Sequence, residues 1–125
     1  MSVVHSANQP LEKIRAISLA LPEAIEKGGV AEHTFRVRDK IFAIYQDNHH
    51  GDERLALWCK APPGLQDALV HTEPERFFAP PYVGRHGWIG IRLEGEVDWE
   101  EVADFVLDSY RMTAPQRLLA SLDQR

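Results

Sequence analysis

The residues of this chain best suited to chemistry are cations and indoles spaced two apart in strand-like segments. In His33-Thr34-Phe35-Arg36-Val37-Arg38, apolar Phe35 and Val37 alternate with Arg36 and Arg38. In the next such segment Leu55, Leu57 and Cys59 oppose Trp58 and Lys60, and further on Trp88 and Arg92 oppose Ile89 and Ile91. If these strands share a sheet, one face of it carries Arg36, Arg38, Trp58, Lys60, Trp88 and Arg92. Guanidinium and ammonium groups contact phosphates, and indoles stack on bases or on another planar ligand. The plainer reading is a solvated sheet face whose Trp rings cover apolar surface while the charges keep it soluble.

Other groupings point to structure rather than to catalysis. There is no G-x-x-x-x-G-K-[ST], G-x-S-x-G or H-E-x-x-H motif, and a single cysteine excludes a cysteine-pair zinc site. Gly84-Arg85-His86-Gly87 has the form of a glycine-flanked basic turn, in which glycines supply positive φ. His49 and His50 beside Asp52 could ligate a metal, but neighbours in an extended segment point to opposite sides, so a solvated loop is expected. Cys59 with His33 could form a nucleophile and base, yet Cys59 shares the parity of Leu55 and Leu57 and reads as a small buried residue. Glu100, Glu101 and Asp104 suit the first turn of a helix and its exposed side better than a carboxylate pair. The expectation is a protein without catalytic activity, cofactor or metal.

The elements that must position these residues follow from pattern. Residues 1–8 lack periodicity and read as an arm; Pro10 suits a helix start, with Leu11, Ile14, Ile17 and Leu21 at helical spacing as far as Leu21-Pro22. A short strand is expected at 24–26, then strands at 33–38 and 40–46 joined by a tight turn at Arg38-Asp39. A polar loop at 47–52 leads to a strand at 54–60 and a helix around 65–70. Residues 77–87, rich in proline and glycine, should be extended or turning before a strand at 88–93. Asp98-Trp99-Glu100-Glu101 is a helix-start signature, Trp99, Val102, Ala103, Val106 and Tyr110 form the buried stripe, and a terminal helix follows Pro115. The order α, three or four strands, α, one or two strands, α, α implies a two-layer α+β domain with an antiparallel sheet covered by helices on one face.

Length bounds this to one domain over residues 1–125, with room for a single core. No apolar run approaches the ~20 residues needed to span a bilayer, no secretory signal opens the chain, and one cysteine suits a reducing cytoplasm. Nineteen acids against fourteen bases give a net charge of −5, which weighs against nucleic acid if spread evenly. It is not spread evenly. Arg76, Arg85 and Arg92 stand alone within 76–92, whereas Glu94, Glu96, Asp98, Glu100, Glu101, Asp104 and Asp108 fill 93–108 without a base. Net charge therefore neither excludes nor supports DNA.

His33-Thr34-Phe35-Arg36-Val37, Lys40-Ile41-Phe42-Ala43, Lys60, Pro81-Tyr82-Val83-Gly84 and Gly87-Trp88-Ile89 resemble the MmcQ/YjbR family of small bacterial proteins. Leu21-Pro22-Glu23 near the start, and Ser109-Tyr110-Arg111 with Ala114-Pro115 near the end, fit the same pattern, so the resemblance spans about residues 11–122. It implies a CyaY-like, double-wing α+β fold and a suggested role in DNA binding, with no accepted activity or cofactor. The positions it marks are His33, Arg36, Lys40, Lys60, Tyr82, Gly84 and Trp88; Arg38-Asp39 departs from it, occupying a turn where glycine is common. With the basic–aromatic face added, the expected binding residues are His33, Arg36, Arg38, Lys40, Trp58, Lys60, Tyr82, Arg85, Trp88 and Arg92. DNA is the expected partner of a monomer; the alternative is a planar small molecule or a protein bound around Trp58, Tyr82 and Trp88.

Overall fold

Only Arg38 and Asp39 separate Val37 from Lys40, and a connection that short forces an antiparallel hairpin. Both turn residues have positive φ, 50° and 67°, the geometry that matches strand twist and that glycine or asparagine adopts most cheaply. The hairpin joins β2 (Glu32–Val37) to β3 (Lys40–Asp47) in a computed structural model that describes residues 2–29, 31–48, 51 and 54–123. Around it lie β1 (Ile25–Gly28), β4 (Leu55–Cys59), β5 (Phe77–Phe78) and β6 (Ile89–Arg92). The six strands form one antiparallel sheet in the order β1-β2-β3-β4-β6-β5. His49, His50 and Asp52, the candidate metal loop, lie outside the described residues.

Among the described residues, four helices cover one face: α1 (Ser2–Leu19), α2 (Leu65–Thr72), α3 (Trp99–Arg111) and α4 (Gln116–Asp123). Ile14 of α1, Val102, Val106 and Tyr110 of α3 and Leu118 of α4 join Phe35, Val37, Phe42, Leu57, Cys59, Phe77, Ile89 and Ile91 in the main core. The Asp98 carboxylate caps α3 by accepting from Glu101 N at 3.2 Å, as the sequence signature implies. Two boundaries differ from expectation. Helix α1 begins at Ser2, so Pro10 lies inside it; no glycine or proline precedes Pro10 to halt the helix. Phe77–Phe78, expected only as extended chain, pairs with β6 because each ring is buried on a different face, an alternation too short to register as a pattern.

A bulge shapes the centre of the sheet. Phe35 faces Ala43 but Arg36 faces Ile41, which leaves Phe42 without an opposite residue. Phe42 and Ala43 both turn to the main core, while Ile41 and Ile44 turn to the other face. The fully buried Ser109 hydroxyl of α3 donates to Phe42 O at 2.6 Å and accepts from Lys60 N at 2.9 Å. Two backbone groups are thereby satisfied by one side chain where the ladder is interrupted. Tyr110 packs edge-on against Phe42, with centroids 5.4 Å apart, and donates to Pro22 O at 2.7 Å. These contacts give Ser109, Tyr110 and Pro22 structural work.

Candidate nucleic-acid interface

Strand register sets out the face opposite the helices. One row across the sheet runs Lys27, Thr34, Ile44, Trp58, Gly90 and Phe78; its neighbour carries Glu32, Gln46, Ala56 and Arg92. Ile44, Ala56, Trp58 and Phe78 form a second buried cluster, against which Ile41, Val83 and Trp88 pack. Trp58 is 4% exposed, so its indole is closed to a ligand, contrary to the stacking role its alternation suggested. The Phe78 ring lies where a Gly90 side chain would be, its nearest carbon 2.5 Å from an ideal Cβ, and Arg54 and Arg92 stand 4.1 and 5.3 Å from its centroid. The predicted open face is therefore a small second core. The chain segment after β5 closes it, which alternation within strands does not reveal.

That segment is anchored at several points. Gln66 of α2 donates from Nε2 to Gly84 O at 2.7 Å and to Trp88 O at 2.5 Å, and Val83 and Trp88 pack into the second cluster. Gly84 lies tight on Ala79, and Gly87, at φ 87°, ends the short 3-10 turn Val83–His86. Between these anchors Val83 N donates to Pro81 O at 2.7 Å, with Tyr82 at φ 65° and ψ −66°. This is a γ-turn of the rare, strained hand, and it leaves Tyr82 75% exposed. Arg85 and His86 are exposed beside it.

The remaining predicted residues fall into different settings. Arg36 is opposite the helices, its Nε donating to Thr34 Oγ1 at 3.1 Å, with Asp39 4.0 Å from its guanidinium. Lys27 is 3.8 Å from the same Asp39. Arg38 reaches back to Glu23 at 2.6 and 3.1 Å on the surface, which holds the Glu23 carboxyl below its ordinary range. Burial, followed by the charge of Lys40, pushes the Lys60 ammonium below its ordinary value, and neither lysine has an ion-pair partner among the described residues. His33 does not join this group. It shares the parity of Phe35, and its Nδ1 meets Glu26 at 2.9 Å and its ring meets Tyr45 on the helix side. There Arg15 donates to both Glu26 oxygens, at 2.9 and 3.1 Å, and its hydrogen bonds lower the Glu26 pKa. Sequence reasoning missed Lys27, Arg54, Phe78 and Gln66. The first three carry signals only once the neighbouring strand is known, and Gln66 carries none.

The acids of α3 lie on the helix side of the sheet, opposite Arg36 and Lys27, for α3 packs on that face. Its Glu101 and the Arg76 guanidinium form a short ion pair, and Arg76, Arg92, Glu94, Glu96 and Asp98 line a 190 Å³ cavity between them. Among the described residues no three His, Cys, Asp or Glu are grouped to hold a metal, and no helix is long and apolar enough to cross a membrane. Cys59 is fully buried, and burial pushes its thiol up to about 12, so it presents no thiolate near neutral pH.

A search among the curated proteins finds no match. Among solved structures the chain is similar to the Deinococcus radiodurans protein DR2400, a DUF419 domain, with a TM-score of 0.69 and 18% identity. That similarity covers 82% of this chain and 76% of the other, and it agrees with the α+β fold described above. The family model described as YjbR matches residues 19–112. That span takes in the sheet, the bulge with its Ser109 anchor and the Tyr82 turn, and this chain belongs to the YjbR family.

Proposed function

We propose that this protein binds DNA without catalysing a reaction, contacting the phosphate backbone with cations on the side of the sheet away from the helices. The observation that carries this reading is the segregation of charge. Arg36 and Lys27 lie on the face opposite the acidic helix α3, and Lys60, whose ammonium is lowered by burial and then by the charge of Lys40, has no ion-pair partner among the described residues. Like charges held together cost stability, and a polyanion offsets that cost when it binds. Arg85 extends the basic surface, and Arg38 can exchange its exposed Glu23 partner for a phosphate. Trp58 has no part in contact, and Arg92 and Trp88 support the second cluster. The same burial of Trp58 weighs against a planar ligand seated among Trp58, Tyr82 and Trp88.

The test is a titration of duplex DNA at several salt concentrations. Affinity should fall with salt by a log–log slope of about −0.9 per phosphate contacted. An Arg36→Ala/Lys60→Ala double variant should bind more weakly, with a slope shallower by about 1.8, the two contacts removed. Equal affinity and slope in variant and parent would place any DNA contact elsewhere.

A further inference from the structure

We infer that Tyr82 is a base-stacking residue and that the ligand class is therefore single-stranded nucleic acid in preference to intact duplex. The inference rests on the nucleic-acid reading above and narrows it. Three observations converge on the residue.

The first is conformational. Tyr82 sits in a γ-turn with φ 65° and ψ −66°, a region that residues with a Cβ populate sparsely, and the turn is fixed by the Val83 N to Pro81 O bond at 2.7 Å. Backbone strain of this kind persists only where the surroundings over-determine it. Here Val83 is packed in the second cluster, Gly84 is pressed on Ala79, and Gln66 holds the Gly84 carbonyl. The second is exposure. The strained residue is the most exposed large hydrophobic side chain among the described residues, at 75%, so its ring does not serve the core. The third is surroundings. Arg85 and His86 are exposed on the same turn, and no acid occurs between Arg76 and Arg92. A rigidly presented ring on a turn that also carries the Arg85 guanidinium suits a base whose face is open and whose phosphate lies alongside. Bases in an intact duplex are already stacked on both faces, whereas unpaired bases offer theirs to an aromatic side chain.

The full-length chain is titrated by fluorescence anisotropy with a labelled oligo(dT) and with a duplex of equal length at one fixed salt concentration. The parent should prefer the single strand. Tyr82→Phe should retain that preference, and Tyr82→Leu should lose about tenfold or more of single-strand affinity while duplex affinity stays unchanged. Melting temperature is measured for each variant, and Tyr82→Leu should match the parent, since the ring buries little. Single-strand binding by Tyr82→Leu equal to the parent's would overturn the inference, as would a large drop in its melting temperature. A parent that binds duplex and single strand alike, both weakened by Arg36→Ala/Lys60→Ala, overturns this inference and leaves the broader reading standing. Absence of binding to either probe removes the broader reading itself, and with it this one. A protein partner that requires Tyr82 while neither nucleic acid binds would likewise replace both.

Discussion

Charge is held in opposite ways on the two sides of this sheet. On the helix side, Glu26 is gripped by Arg15 and His33 within 3.1 Å, His33 packs T-shaped against Tyr45, and each of the three charged or polar groups has a partner of complementary character. On the other side, Arg36 and Lys27 share only the exposed Asp39, at 4.0 and 3.8 Å, and Tyr82 is held in a strained turn facing solvent. The first arrangement ties α1 to the β1–β2 hairpin and lowers the energy of the fold. The second raises it. Backbone strain at a residue that does not serve the core opposes stability, and selection for stability alone would remove it.

The sharpest way to break the comparison is Trp58→Ala. If the second cluster is a true core, the truncation costs about 3–5 kcal/mol in chemical denaturation. A loss below about 1 kcal/mol would mean that the face is open after all. Next comes Glu26→Gln, which leaves Arg15 and His33 facing a neutral amide and should cost about 1–3 kcal/mol. The Glu26 pKa is lowered in the folded state, chiefly by its hydrogen bonds from Arg15, so its contribution is present above the ordinary glutamate value of 4.5 and fades as pH falls below it. The stability gap between parent and Glu26→Gln should accordingly shrink in acid, and a gap independent of pH would show that the carboxylate charge is not what matters.

Two substitutions should stabilise, and both are smaller. Tyr82→Gly relieves strain of roughly 1–3 kcal/mol, offset by about 0.5–1 kcal/mol of added chain entropy. A net gain of about 1 kcal/mol is expected; a loss would show that the tyrosine supports the fold. Ser18 is fully buried in α1, and its hydroxyl is the one buried side-chain polar atom without a hydrogen-bond partner among the described residues. Ser18→Ala should be neutral or stabilise by up to about 1 kcal/mol, because it removes an unsatisfied polar group. Thermal melts resolve both.

Much of the architecture was legible in the chain because it rests on local rules. The Arg38-Asp39 spacing dictated a hairpin, Asp98 with Glu101 marked the start of α3, and the parity of Leu57 and Cys59 placed them inside. The candidate site was legible only in part. Alternation assigned Arg36 and Trp58 correctly to the face away from the helices, but it carries no information about what else covers that face. Nor could it show that His33 would turn to Glu26, since that pairing depends on β1 lying beside β2 and on α1 packing across the sheet.

The sequence by itself determined the order of elements, the antiparallel pairing and the sides on which most strand residues fall, because periodicity and turn length act over a few residues. Tertiary structure alone decided which side chains stay accessible. Burial of Trp58 required the segment around Val83 and Trp88 to return over the sheet, and the exposed, strained Tyr82 required Gln66, Ala79 and the second cluster to fix that segment on either side. Accessibility is a property of what packs from elsewhere in the chain, and no local pattern encodes it.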